Sequence, residues 1–121
     1  MKPAKSFHDL IVRKKSHRFV LAIYKTTRSD FPHEEIYGLT AQFIRDTVSI
    51  AVNIAEEFRK HSKAKKARMI NMSEESLEKC CYDLILAKDI GYMNEESLWD
   101  LTEEIERLLC AYRTTILTPN F

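Results

Sequence analysis

The scarcity of turn-forming residues restricts the fold of this chain more than any other feature. Only 2 Gly and 3 Pro occur in 121 residues, whereas sandwiches and barrels need a turn after every short strand. The 45% hydrophobic content and the net charge of +1 are also atypical of a disordered chain. Long helices joined by a few short loops are therefore expected, in a single domain over residues 1–121.

Helical periodicity predicts an all-α, up-down-up-down four-helix bundle. The predicted helices span approximately residues 6–27, 33–60, 63–90 and 95–116. The segment from Thr26 to Pro32 is predicted to be a loop. Ser62 is predicted to cap the third helix, and Gly91 to end it in a left-handed conformation.

The first two helices each carry two apolar stripes. On the first helix, one stripe alternates steps of three and four, which is typical of a packed seam: Phe7, Leu10, Lys14, His17, Leu21 and Tyr24. The other contains Val12, Phe19 and Ile23. On the second helix the stripes are Leu39, Phe43, Ile50, Ile54 and Phe58, and Ile44, Val48, Ala51 and Ala55. One stripe suffices for the core of a monomer, so the additional stripes predict a closed homo-oligomer.

A polar stripe separates the two apolar stripes of the second helix: Gln42, Arg45, Ser49, Asn53 and Glu56. Because buried polar groups need partners, this stripe predicts a network that is buried and paired, within the chain or across an oligomer interface. A ligand or partner site and a solvated edge are the alternatives. An enzyme using Glu56 is the weakest interpretation, since no nucleophile accompanies it.

The second helix and the residues before it resemble a bacterial family. They read Asp30-Phe31-Pro32, Glu35-Ile36-Tyr37-Gly38-Leu39, Gln42, Arg45 and SIAVNIAE over residues 49–56. This is similar to FP-x-x-E-x-Y-x-L-x-x-Q-x-x-R followed by S-I-x-x-N-I-A-E-G, found in the four-helix bundle or ribosomal RNA intervening-sequence protein family. Glu57 replaces the glycine that usually ends this motif, and Lys79 replaces an acidic residue usual in the third helix.

The resemblance implies an architecture and an assembly rather than an activity. Members of the family form up-down-up-down bundles that associate as barrel-shaped pentamers, so the resemblance implies a homo-pentamer here. Some members are encoded within insertions of the large ribosomal RNA gene. A related group, the accessory variability determinants of diversity-generating retroelements, binds a reverse transcriptase and nucleic acid.

Basic residues are concentrated in the first part of the chain. Residues 1–68 hold 15 Lys and Arg against 7 Asp and Glu, whereas residues 69–121 hold 4 against 11. The candidates for contacts with an RNA or DNA backbone are Arg59, Lys60, Lys63, Lys65, Lys66 and Arg68. Lysines at a helix start oppose the helix dipole, so replacing Lys63, Lys65 and Lys66 with Gln is expected not to reduce stability. A solvated loop and a site for an acidic protein partner are the alternatives.

Signatures of enzymes and metal sites are missing from the sequence. The histidines and cysteines lack the spacing of metal ligands, and no glycine-rich phosphate loop occurs. We therefore predict no catalytic residue, no metal site and no cofactor. No apolar run is long enough to span a membrane. We expect a cytoplasmic, non-catalytic scaffold or adaptor, with a nucleic-acid-binding accessory protein as the alternative.

Overall fold

Four long helices account for most of the described chain. The structure is a computed structural model that describes residues 7–119, with side chains from Asp9 onward. The helices are α1 (Phe7–Asp30), α2 (Leu39–Glu57), α3 (Lys63–Asp89) and α4 (Glu96–Leu117). No strand occurs within residues 7–119.

The helices form a square bundle in which each contacts two neighbours. α1 packs on α2, α2 on α3, α3 on α4, and α4 returns to α1. Because the connections are short, each helix runs antiparallel to the one before it. The predicted all-α four-helix bundle is thus confirmed.

The core lies along one stripe of each helix. On α2 the predicted stripe from Leu39 to Phe58 is buried. On α1 the predicted seam is wrong. The buried stripe is instead Val12, Phe19 and Ile23, which are fully buried. The described residues of the predicted seam are exposed: Leu10, Lys14, His17, Leu21 and Tyr24. Burying the seam would also bury the polar groups of a lysine and a histidine, which costs more than burying the purely apolar stripe. The Phe7 side chain lies outside the described residues.

The boundaries of the first two helices differ from those predicted. α1 continues to Asp30 through the segment predicted as a loop. The Thr27 hydroxyl donates to the Ile23 carbonyl at 2.8 Å and the Ser29 hydroxyl donates to the Lys25 carbonyl at 3.0 Å. These hydroxyls bond to carbonyls of their own helix, so they do not end it. The predicted start at residue 6 lies outside the described residues.

The chain between α1 and α2 forms a single 3₁₀ turn, His33–Glu35, so α2 begins at Leu39 rather than at residue 33. The Glu35 carboxylate accepts hydrogen bonds from the backbone N–H of Leu39 at 3.1 Å and from the Tyr92 hydroxyl at 2.8 Å. These bonds, that from Leu39 foremost, hold the pKa of Glu35 below its ordinary value. Glu35 therefore joins the start of α2 to the loop after α3.

Both predicted ends of α3 are confirmed. The Ser62 hydroxyl accepts a hydrogen bond from the backbone N–H of Lys65 at 3.1 Å. Gly91 has a φ of +84°, and the N–H of Tyr92 donates to the Ala87 carbonyl at 2.9 Å. This pattern satisfies carbonyls at the helix end and requires a residue that tolerates positive φ.

Candidate functional surfaces

Charge is segregated along the axis of the bundle. With neighbouring helices antiparallel, residues 7–18, 49–76 and 107–119 share one end, and residues 19–48 and 77–106 share the other. The first end holds 12 Lys and Arg against 5 Asp and Glu, and the second holds 5 against 13. We call them the basic end and the acidic end.

The basic run lies at the basic end, in the α2–α3 turn and the first turns of α3. The side chains of Arg59, Lys60, Lys65 and Arg68 have no hydrogen bond or ion pair with any described residue, and only Lys60 is partly covered. Lys63 instead donates to the Thr118 carbonyl at 3.2 Å. Four of the six predicted phosphate contacts are therefore available to a ligand.

Lys66 belongs to a buried polar cluster. Its ammonium donates to the Glu57 carboxylate at 3.3 Å and to the Glu57 backbone carbonyl at 3.2 Å. Glu57 is only 1% exposed, and the Tyr112 hydroxyl donates to its other carboxylate oxygen at 3.0 Å. Lys66 thus compensates a buried charge, so the expectation that its replacement leaves stability unchanged does not hold.

Glu57 is a core residue that the sequence pattern did not predict. The signal was its position, seven residues after Ile50 and three after Ile54, on the buried stripe of α2. A carboxylate there requires partners from other helices. Tyr112 of α4 supplies one of them.

The polar stripe of α2 divides into paired and exposed residues. The Gln42 side-chain amide donates to Asp83 at 2.7 Å, the Ser49 and Ser76 hydroxyls lie 2.9 Å apart, and the Asn53 amide donates to the Ser49 carbonyl at 2.9 Å. Arg45 and Glu56 are exposed, and their side chains have no hydrogen bond or ion pair with described residues. Gln42 is paired within the chain but exposed, so its predicted burial is wrong. Burial within one chain is also wrong for Arg45 and Glu56, and for these two pairing across an interface stays a prediction.

Asp83 is a buried acid that sequence analysis missed, although it lies seven residues after Ser76 on the side of α3 that faces α2. It is 1% exposed, and its Oδ2 atom has no hydrogen-bond donor among described residues. Burial first, and then the neighbouring Asp46 carboxyl group, raises the pKa of Asp83 to about 7. The pair borders a cavity of about 630 Å³ whose other lining residues are Gln42, Glu75, Glu78, Lys79 and Tyr82.

The side of α2 that points away from the core is apolar as well. This outer face of α2 consists of Ala41, Val48, Val52 and Ala55, with Val52 46% exposed. On the adjacent helix, Leu10, Leu21 and Tyr24 are also exposed. Apolar side chains that one chain leaves exposed or only partly covered on two adjacent helices make this face a candidate protein contact.

Neither a metal site nor a membrane-spanning helix occurs among residues 7–119. No group of three or more His, Cys, Asp or Glu side chains is placed to hold a metal ion. None of the described helices combines the length and the apolar character needed to cross a membrane.

The packing of four antiparallel helices defines this chain as a small all-α bundle protein. It belongs to the 23S rRNA-intervening sequence protein family, whose sequence profile matches residues 8–111. The fold is similar to the crystal structure of a protein of unknown function from the S23 ribosomal protein family of Bacteroides thetaiotaomicron. The two agree with a TM-score of 0.79 and 22% identity, over 89% of this chain and 99% of that one. A comparison with curated proteins gave no match.

Proposed function

We propose that this chain is a non-catalytic scaffold or adaptor that assembles into a closed homo-pentamer through the outer face of α2. The observation that carries the proposal is the apolar outer face itself, which one chain leaves in contact with water. Fully burying an exposed valine or leucine contributes about 1.5–3 kcal/mol, and Val52, which is 46% exposed, would gain about half of this in every copy of a closed ring. The number of subunits rests on the family resemblance.

Arg45 and Glu56 support an interface on this side of α2. They flank Val52, seven residues before it and four after it, and thus share its side of the helix. Both are exposed and lack partners among the described residues. Opposite charges on a neighbouring copy would pair with them and fix the register of the contact.

Light scattering at micromolar concentration tests the assembly. We expect a mass of five 14.2 kDa chains, and dissociation when a charge is introduced by Val52→Lys. The matched control is Ile85→Lys, since Ile85 is 45% exposed but lies on α3. A 14.2 kDa monomer of the parent protein would refute the assembly, and dissociation by the control alone would refute the choice of face.

Alanine variants test the charged pair. Arg45→Ala should lower the melting temperature of the oligomer, because it leaves an interfacial group without its partner at a cost of roughly 1–3 kcal/mol. Glu56→Ala should have a similar effect, whereas Lys88→Ala, at another exposed site, should not. If Arg45→Ala and Glu56→Ala both leave the melting temperature and the oligomer size unchanged, the charged residues have no interfacial role.

The segregation of charge favours nucleic-acid binding as a second candidate function. Phosphates would be held at the basic end by Arg59, Lys60, Lys65 and Arg68, whose side chains are otherwise unpaired among the described residues. Such contacts are electrostatic and independent of sequence. Binding should therefore weaken with a log–log salt slope of about −0.7 to −0.9 per phosphate contacted.

A gel-shift titration with RNA and single-stranded DNA at about 50 and 200 mM salt tests this function. The triple variant Arg59→Gln, Lys65→Gln, Arg68→Gln should lose binding while the oligomer is retained. The control Lys25→Gln, Arg28→Gln, Lys88→Gln removes the same charge from exposed sites at the acidic end. Failure of the parent protein to bind at the lower salt concentration would exclude this function, as would equal losses in both triple variants.

A further inference from the structure

The cavity between α2 and α3 is strongly acidic. Its lining residues include four acids, Asp46, Glu75, Glu78 and Asp83, and one base, Lys79. Lys79 is exposed and forms no ion pair with any of the four among the described residues. The cavity therefore presents a negative potential that the chain itself does not neutralise.

The Asp46–Asp83 pair needs a proton or a cation to offset the repulsion between its two carboxylates. Asp83 is 1% exposed, one of its oxygens accepts a hydrogen bond from Gln42, and the other has no donor among the described residues. The neighbouring group is the Asp46 carboxyl, which as an anion can only repel it. Either a shared proton or a cation beside Asp46 must compensate this repulsion.

We propose that this cavity binds the guanidinium group of an arginine side chain from a partner polypeptide. Its planar fork would pair with the carboxylate of Asp46, which lines the cavity, and displace the proton that Asp83 otherwise holds. Tyr82 lines the same cavity and is 59% exposed, so an aromatic residue is accessible there for stacking on the cation. This goes beyond the scaffold function, which does not require the cavity.

The chemistry of the cavity favours a guanidinium group over other cations. The carboxyl groups are not arranged as a metal site within the described residues. A guanidinium is more weakly hydrated than an ammonium group, and it offers both a bidentate edge for a carboxylate and a flat face for an aromatic ring. Asp46 and Tyr82 supply these two contacts from two different helices.

The affinity for a guanidinium should depend on pH, because the guanidinium competes with a proton for the same carboxyl groups. Asp83, whose pKa is raised to about 7, holds its proton below that pH. The affinity for a guanidinium should therefore be roughly tenfold lower at pH 6 than at pH 8. It should change little above pH 8, where the pair has already lost its proton.

An NMR titration with L-arginine amide at low salt tests the proposal. We expect saturable shifts around the cavity with a Kd of roughly 1–10 mM at pH 8, and weaker binding of L-lysine amide. Asp83→Asn should weaken binding at pH 8 by at least about tenfold and remove its pH dependence, because residue 83 is then neutral at every pH. Lys79→Gln should strengthen binding, because it removes a competing positive charge.

The matched control is Glu103→Gln, which neutralises an exposed acid on α4 and should leave binding unchanged. If Asp83→Asn does not fold, Asp46→Asn provides the same test. Absence of saturable binding at about 20 mM ligand and pH 8 would overturn the proposal. So would equal affinity in Asp83→Asn, an equal loss in Glu103→Gln, or equal binding of lysine amide.

Discussion

Replacing Asp83 with Asn should stabilise the protein at alkaline pH and have little effect at acidic pH. Protonated Asp83 is neutral and can donate one hydrogen bond towards Asp46 while it accepts one from Gln42. The Asn amide has the same shape and the same donor and acceptor. The variant therefore imitates the protonated parent at every pH.

The size of the stabilisation by Asp83→Asn follows from the pKa of Asp83, which is raised from 3.8 to about 7 by burial and by Asp46. Between these values the folded chain holds a proton that the unfolded chain has released, so the free energy of unfolding falls as pH rises. Each pKa unit corresponds to about 1.36 kcal/mol, which gives a loss of about 4 kcal/mol from the lower value to the upper one. Above pH 7 the loss is complete, and Asp83→Asn avoids it.

Urea denaturation of parent and variant between pH 4 and pH 8, at one protein concentration, measures this difference. Other titrating groups cancel in the comparison because both proteins contain them. The exposed Asp89 provides the control, since Asp89→Asn should not change the pH dependence. A stability difference between Asp83→Asn and the parent that is the same at pH 4 and pH 8 would refute the reasoning.

Two further substitutions test the polar contacts of the bundle. Lys66→Gln should lower the free energy of unfolding by roughly 1–3 kcal/mol, because it leaves the buried Glu57 carboxylate without its cation. The control Lys65→Gln should change the free energy of unfolding by less than about 0.5 kcal/mol. Equal effects of the two substitutions in urea denaturation would contradict this. Gly38→Ala should cost about 1 kcal/mol, since its Cβ would lie 2.6 Å from a Glu35 carboxylate oxygen that caps α2. A melting temperature unchanged by Gly38→Ala would contradict this, since it would show that the Glu35 carboxylate can move aside without a loss of stability.

The fold was predictable because the segments between turn residues are long and strongly periodic. Periodicity alone did not decide which stripe of α1 is buried, since both stripes fit a helix. The cost of burying Lys14 and His17 distinguishes them. On α2, by contrast, the predicted stripe through Phe43 and Ile50 names only apolar residues, and their burial followed directly from the pattern, although Glu57 is buried beside them.

The candidate surfaces were only partly predictable, because their polar contacts join distant parts of the chain. The basic run was recognisable as a cluster along the sequence. The use of Lys66 in the core depends on Glu57 and on Tyr112 from α4, and no local pattern joins these residues. The Asp46–Asp83 pair likewise forms only when α3 packs on α2.

The segregation of charge also determines how the protein will behave on charged matrices. A net charge of +1 and an isoelectric point near 7.7 suggest weak retention at neutral pH by any ion exchanger. The two ends are far from neutral, however, so a cation exchanger should hold the basic end and an anion exchanger the acidic end. Retention on both resins should vanish above about 0.1 M salt, where the screening length falls below about 10 Å. The same molecule should therefore attach to the two resins in opposite orientations.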